Sequence, residues 1–342
     1  MPDAVSRPGR RAVLRALAAG PLLFALPTHL PVASAASSVS SADLATGSFG
    51  RGDLDAASAP DWMRLVPDSA DLAQLSLPGT HDTMAHNASI PTLTQDFDLS
   101  TQLRAGVRAL DIRTRHFRDV FPIHHGPEYL HANFTDVVRT VTAFLQSNPS
   151  ECVLVRLKKE HTEEENTRTY QATLDWYIHD NPDTRDLLAA HLWTPAAGYD
   201  GRIPALGEAR GKIVVLQDFT ATTTYGPRWA GPRTDIQYDF ELPNLAAVET
   251  KWGKVRTQFE RAAVGDSQSL FVNHLSATGA SPAVMATGTV PITVAKGVPG
   301  TPGMLTRTET YLRATGTGRT GVVMADFPTA ALVEAIIARN FD

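Results

Sequence analysis

The sequence predicts an α/β protein: a single, irregular TIM-like (β/α)8 barrel with its functional residues at the C-terminal ends of the strands. Three observations lead there. Strand-like and helix-like patterns alternate from Trp62 to the end of the chain. The stretch they occupy, residues 60–342, is about 280 residues, long for an ordinary domain and normal for one barrel. Polar residues recur just past the apolar runs: His81 and Asp82 after the first, Asp111 and Arg113 closing the second, then His125, Lys158, Asp218 and finally Asp326. An open doubly wound sheet is the alternative arrangement of the same elements.

At the N-terminus, Arg10-Arg11 precede an apolar stretch over residues 13–26 that is short for a membrane span, and Ala33-Ser34-Ala35 supply a small-residue cleavage pattern. Residues 1–35 therefore read as an export signal. The paired arginines point to the twin-arginine route, with a mature start near Ala36 and a secreted, extracellular product. Residues 36–59, rich in Ser, Ala, Gly and Asp without a period, read as a flexible leader.

Strand-like runs follow at 72–77, 107–112, 120–123, 153–157, 213–216, 270–273 and 322–324, with an eighth expected in the weakly patterned 218–243 region. Phe134–Ser147 carries Val137, Val138, Val141, Phe144 and Leu145 at helical spacing, and Asn148-Pro149 stops it. Further helices are expected over 163–178, 245–263 and 330–339. The Gly/Pro/Thr-rich stretch 277–303 reads as a long mobile loop on the barrel rim.

Net charge is −5 and no Lys/Arg block stands out, which argues against nucleic acid as a partner. The one cysteine, Cys152, heads an apolar run and has no partner for an internal disulfide. An exported chain of this kind depends on its core, and it is long enough to bury one as a monomer.

Chemistry concentrates in three short motifs: Leu77-Pro78-Gly79-Thr80-His81-Asp82, Leu110-Asp111-Ile112-Arg113 and Ile123-His124-His125-Gly126. Two imidazoles and a guanidinium around one cavity are what metal-free cleavage of a phosphodiester requires. One ring takes a proton from the nucleophile, the other gives one to the leaving oxygen, and the cation holds charge on phosphorus. Asp111 and Arg113, two apart in a strand, share a face, whereas His124 and His125 point oppositely. His125 is thus expected in the site and His124 in a structural place. His86, His116, His131, His161, His179 and His191 read as surface or loop residues, and His274 as the spare histidine within reach of the cavity.

With Trp62-Met63, Val66-Pro67-Asp68-Ser69, Asn148-Pro149-Ser150-Glu151, Leu157-Lys158-Lys159-Glu160 and Ala209-Arg210-Gly211-Lys212-Ile213 added in order, the chain resembles the bacterial phosphatidylinositol-specific phospholipases C. These share the X-domain barrel of their eukaryotic namesakes. The resemblance implies that His81, held by Asp326, takes the proton of the inositol 2-hydroxyl. Arg113 then stabilises the phosphoryl charge, and His125, coupled to Asp82, protonates the departing diacylglycerol, leaving inositol 1,2-cyclic phosphate. Asp111 becomes an orienting partner and Lys158 an inositol contact.

Recognition departs from the family pattern. Asp218 stands where the resemblance expects an arginine, and Tyr238 and Phe240 fall near its Asp and Tyr contacts. Arg156, two before Lys158 on the same face, is expected to reach inward and supply the missing positive charge. In calcium-dependent relatives, acidic or amide ligands hold the positions of Asp82, Arg113 and Lys158. Two of those three are cations here, so no metal and no cofactor is expected. The rim lacks the tryptophans and tyrosines of relatives, and weak binding to zwitterionic vesicles is expected. Competing readings are a phosphodiesterase for another polyol phospholipid, a glycosylated inositol lipid or a glycerophosphodiester, and a non-catalytic lipid-binding relative.

Overall fold

The computed structural model describes residues 50–316 and 318–341. The expected export signal and residues 36–49 of the expected leader lie outside the described residues. Residues 50–59 lie inside and correct that expectation, because they are docked rather than free. Leu54, Ala57 and Ala59 are buried in the core. The Gly52 N–H donates to Asp96 Oδ2 at 2.7 Å, and Asp53 Oδ1 accepts from the Ala330 N–H at 3.1 Å.

The expected alternation of strands and helices is present, as an irregular TIM-like barrel. In chain order the strands of the main sheet are β1 (Leu77–Thr80), β2 (Ala109–Thr114), β3 (Pro122–His125), β4 (Glu128–Asn133), β5 (Val153–Lys159), β6 (Ile213–Asp218), β7 (Thr234–Gln237), β8 (Leu270–His274) and β9 (Val322–Ala325). Pairing runs β6-β5-β2-β1-β9-β8-β7 with every neighbour parallel. β7 supplies the strand expected in the 218–243 region. Among the described residues no ladder closes β6 onto β7. A single parallel bridge, Gln217 to Arg228, stands in the gap.

Two expected strands change place. The run at 72–77 is a 3-10 turn over Leu72–Gln74, and the strand begins at Leu77. Pro78 and Gly79 look like breakers, yet they suit this position. Pro78 has no N–H, and its carbonyl accepts from the Arg108 N–H at 2.9 Å. A Cβ on Gly79 would lie 2.6 Å from Met324 Sδ and 3.1 Å from Ala109 Cβ, so only glycine lets β9 and β2 close on either side. The run at 120–123 belongs to β3, which meets β2 antiparallel at Thr114 and Ile123 and forms a hairpin with β4. It is an excursion above the barrel, not a stave of it.

The helices include α1 (Leu99–Ala105), α2 (Phe134–Ser147), α3 (Tyr170–His179), α4 (Val248–Val264), α5 (Met304–Ala314) and α6 (Ala330–Ala338). α2 lays Val137, Val138, Val141 and Leu145 against the sheet; each such burial contributes about 1.5–3 kcal/mol. It stops where the Asn148 amide turns back to the Phe144 carbonyl, ahead of Pro149. α3 starts seven residues later than its pattern implied. Residues 163–168 bond across to the β2–β3 connection instead: Glu164 N–H to the His116 carbonyl, and Thr167 and Arg168 N–H to Asp119 Oδ1. The 277–303 stretch is not a structureless loop. It holds short helices at Pro282–Ala286 and Pro291–Lys296, each with proline in its first turn, and a small ladder between Gly297–Val298 and Thr301–Pro302.

The barrel's two ends use charge differently. At the N-terminal end of β2, Arg108 is buried against Glu151 at 2.8 Å and fills its remaining donors with carbonyls of Leu103, Val107 and Pro60. That closed arrangement holds structure, since every donor is matched. The other end is open and richer in unmatched chemistry. Among the described residues no helix is long and apolar enough to cross a membrane.

Candidate active site

Strand register assembles the site. Parallel pairing sets Asp111 beside Arg156, Arg113 beside Lys158, and Lys158 beside Asp218, all at the C-terminal ends of β2, β5 and β6. From the other side, β1 pairs with β9 through Thr80 and Ala325, so the next residues out, His81 and Asp326, meet across the mouth. Asp82 adopts the left-handed backbone (φ +42°), which asparagine and aspartate tolerate better than most residues. This turn lets two consecutive side chains, His81 and Asp82, enter one site.

His81 is pinned at both ring nitrogens. Its Nδ1 lies 2.8 Å from Asp326 Oδ1 and its Nε2 lies 2.7 Å from Arg113 Nη2. A guanidinium only donates, so Nε2 must present its lone pair and the proton sits on Nδ1, directed at Asp326. Burial, then the Arg113 charge, hold the His81 imidazole well below its ordinary range, so the ring is neutral. Burial likewise pushes the Asp326 carboxyl upward, with Arg113 and Lys251 opposing. A neutral imidazole with a fixed Nδ1–H and its lone pair on Nε2 can act as a proton acceptor once the Arg113 donor turns from it.

Arg113 is surrounded by carboxylates. Its Nε and Nη2 reach Asp111 Oδ2 at 3.0 and 2.9 Å, and its Nη1 lies 2.9 Å from Asp82 Oδ2. Burial would lower its pKa, but Asp111 and Asp82 more than reverse this and keep the cation well above the usual range. Asp111 is wholly engaged, with the Asp82 N–H and Arg156 Nη1 as further donors. Burial alone would raise its carboxyl; Arg113, Arg156 and His81 hold it well below the ordinary value instead.

Asp82 joins the two histidines. Its Oδ2 is 3.0 Å from His125 Nδ1 and 3.9 Å from His81 Nε2, in ion-pair contact off the hydrogen-bond axis. Burial pushes this carboxyl up to about 6, with Arg113 and His125 limiting the rise. His125 also places Nδ1 3.0 Å from the Thr92 carbonyl, so Nε2 is the nitrogen left for a ligand.

The residues expected to contact a headgroup fall on the same mouth, with one correction. Arg156 does turn inward, but its charge is not available to a ligand. Its Nε and Nη2 grip Asp218 Oδ2 at 2.9 and 2.7 Å, Nη1 reaches Asp111, and the guanidinium packs 4.4 Å from the Trp229 ring and 5.5 Å from that of Tyr238. Lys158 donates to Glu160 Oε2 at 2.6 Å. Tyr238 lies edge-on to His274 at 4.5 Å, and Phe240, 5.0 Å beyond it, is exposed.

Some neighbours escaped the sequence reading, whereas His274 near the cavity and His124 away from it were expected. Glu160, two beyond Lys158 and so on its face, accepts from Lys158 and from the Gly126 N–H at 3.1 Å; that spacing could have found it. His274 is fully buried, 5.8 Å from His81, and its Nε2 has no partner among the described residues. His116, expected near the surface, is buried between Thr173 and Glu163. His124 is buried and packs on Tyr129. Thr92 acts through its carbonyl, which no side-chain pattern announces.

A family model described as phosphatidylinositol-specific phospholipase C, X domain, matches residues 75–218. The 1-phosphatidylinositol phosphodiesterase of Listeria monocytogenes is 35% identical over 231 residues, covering 64% of this chain and 68% of that protein. A solved phosphatidylinositol-specific phospholipase C from Listeria monocytogenes superposes with a TM-score of 0.64 at 29% identity, over 82% of this chain and 98% of that one. A structure of the Staphylococcus aureus enzyme of the same description gives 0.68 at 23% identity, over 84% and 99%, a likeness of fold.

Proposed function

The chain belongs to the phosphatidylinositol-specific phospholipase C family and is an enzyme of that class; we propose that it cleaves phosphatidylinositol to diacylglycerol and inositol 1,2-cyclic phosphate without a metal. The observation that carries this reading is the double engagement of His81, with Asp326 on Nδ1 and Arg113 on Nε2. When a phosphoryl oxygen enters, it takes the Arg113 Nη2 donor, and the Nε2 lone pair is released to the inositol 2-hydroxyl. His81 removes that proton as the oxygen attacks phosphorus. Arg113, held by Asp111 and Asp82, meets the charge growing on the non-bridging oxygen. His125 gives its Nε2 proton to the departing glycerol oxygen, with Asp82 beside Nδ1 steadying the ring.

Nucleophile and phosphorus belong to one molecule, so the first step needs orientation and no water. In a slower second step the histidines exchange roles and water opens the ring. The charge that calcium would supply is already present in Arg113, which supports metal independence.

Lys158, Tyr238 and Asp218 are the proposed headgroup contacts, with Arg156 acting through Asp218. Arg156 holds one oxygen of Asp218, and Oδ1 remains as an acceptor for ring hydroxyls. Asp218 in place of the family's arginine favours a second reading, a headgroup other than unmodified inositol. Both readings meet one experiment: purified protein, a panel of phosphatidylinositol, glycosylated inositol lipid and glycerophosphodiesters, a chelator, and phosphorus NMR. A cyclic inositol phosphate formed from phosphatidylinositol with the chelator present is expected. Turnover only of another diester, or only with added calcium, overturns the first reading. Secretion is part of the proposal and predicts a mature N-terminus near Ala36.

A further inference from the structure

The general-acid side of the site is held by a contact that the reaction does not itself require. The hairpin of β3 and β4 carries His125, and across its turn His125 pairs with Glu128. Glu128 reaches back over the loop that follows β1. Its Oε1 accepts from the Ser89 N–H at 2.7 Å and its Oε2 from Ser89 Oγ at 2.6 Å and from Thr92 Oγ1. Ser89 and Thr92 are joined to each other as well, through the Thr92 hydroxyl and the Ser89 carbonyl at 3.0 Å. Thr92 closes the circuit, since its carbonyl is the hydrogen-bond acceptor for His125 Nδ1 at 3.0 Å. The same loop is tied to the base side, where Thr94 Oγ1 donates to the Asp82 carbonyl at 3.1 Å and the Gln95 amide to the His81 carbonyl at 2.7 Å.

We propose that Glu128 is a positioning residue for the general acid: by clamping Ser89 and Thr92 it holds the Thr92 carbonyl against His125 Nδ1, so that one proton stays on Nδ1 and the second proton of the imidazolium is the one on Nε2, the proton His125 delivers. Two acceptors meet Nδ1, the Thr92 carbonyl and Asp82 Oδ2. The carbonyl can only accept, so it fixes an Nδ1–H whatever the state of Asp82. Without the clamp the loop is free to withdraw that carbonyl. His125 would then depend on a carboxylate that lies off the hydrogen-bond axis and is shared with Arg113. Ionised acceptors of several N–H and O–H groups are strong tethers; burial would raise the Glu128 carboxyl, but the hydrogen bonds from Ser89 and Thr92 outweigh it and leave the group below its ordinary range.

This inference rests on the proposed role of His125, and its test separates the two. A lipid alkoxide must be protonated as it leaves, whereas 4-nitrophenolate need not be. Glu128→Gln is therefore compared with the unaltered chain on phosphatidylinositol and on the 4-nitrophenyl ester of inositol 1-phosphate. The expected result is about a tenfold loss of kcat on the lipid with KM unchanged, and a loss of less than about twofold on the nitrophenyl ester. Thr92→Val, which keeps the carbonyl and removes the tethering hydroxyl, is expected to behave alike and carries the test if Glu128→Gln fails to fold. Equal losses on both substrates, or none on either, overturn the clamp. If the unaltered chain turns over neither substrate, the proposed function fails, and the clamp is still read by imidazole nitrogen NMR. There Glu128→Gln must move His125 out of its Nδ1–H tautomer, and an unmoved spectrum overturns the inference.

Discussion

Arg113 donates Nη2–H to His81 Nε2 at 2.7 Å, so in the free site the cation proposed to bind phosphate occupies the lone pair of the proposed base. The contact does two things at once. It fixes the tautomer that sends Nδ1–H to Asp326, and it keeps the base from being protonated by solvent. In the proposed mechanism a phosphoryl oxygen, a stronger acceptor than a neutral imidazole, draws the guanidinium away and frees the base as it binds.

Arg113→Lys tests this arrangement. A lysine brings one charged nitrogen where the guanidinium uses Nε, Nη1 and Nη2 to meet Asp111, Asp82 and His81. The expected result is a kcat lower by about 10²–10³-fold, the usual cost of removing one donor from a developing oxyanion, with little change in KM. Steady-state kinetics on phosphatidylinositol check it. A variant within a few-fold of the unaltered enzyme would show that fork geometry is not needed.

Asp326→Asn changes what His81 Nδ1 meets. An amide oriented with its NH2 toward the ring makes Nδ1 the acceptor and moves the proton to Nε2, where it blocks the base. A loss of about 10³–10⁴-fold in kcat is expected, as for other orienting carboxylates replaced by amides. Nitrogen NMR of His81 must show the Nε2–H tautomer alongside the kinetic loss. A loss without the tautomer change would assign Asp326 a purely electrostatic role.

How far such roles could be read without coordinates depended on the kind of signal. His81, Asp82, Asp111 and Arg113 lie within short motifs, and the two-residue period of a strand puts Asp111 and Arg113 on one face. β1 was misplaced because Pro78 and Gly79 look like breakers; the tight approach of Met324 and Ala109 that demands glycine is long-range. The apolar run that became β3 carries no mark of its antiparallel pairing. Arg156 was correctly turned inward by strand alternation, but its partner Asp218 lies 62 residues away, and no local pattern announces that pair. Glu128 and Thr92 fall in the same class, because the link runs through a backbone carbonyl.

Asp82 sets an expected pH dependence. Burial raises its carboxyl from 3.8 to about 6, so it protonates as pH falls through about 6 and loses its attraction for Arg113 and His125. An acid limb of kcat near that value is expected. The sign for stability is opposite to that of a carboxylate whose pKa is depressed. The folded chain binds this proton more readily than the unfolded chain, so Asp82's contribution to stability falls as pH rises from about 4 to about 6. Asp82→Asn stays neutral throughout and is expected to lose that slope while losing activity. Melting temperatures of both proteins over about pH 4 to 7 check it. An identical pH slope in the two would assign the limb to another group.

The rim bears on how the enzyme meets lipid. Ile90, Leu93 and Met285 are partly buried and pack against buried core side chains rather than standing free. No tryptophan is exposed among the described residues, and the exposed large hydrophobics are Val120, Tyr129, Phe240 and Val264. Of these Phe240 packs beside Tyr238 at the site. With one anchor and a net negative chain, weak partitioning onto phosphatidylcholine vesicles is expected. Phe240→Trp should strengthen it and Phe240→Ser should abolish what remains, each with little effect on cleavage of a water-soluble substrate. Vesicle sedimentation measures all three proteins. Tight binding by the unaltered chain, or indifference to both substitutions, would place the membrane contact elsewhere on the surface.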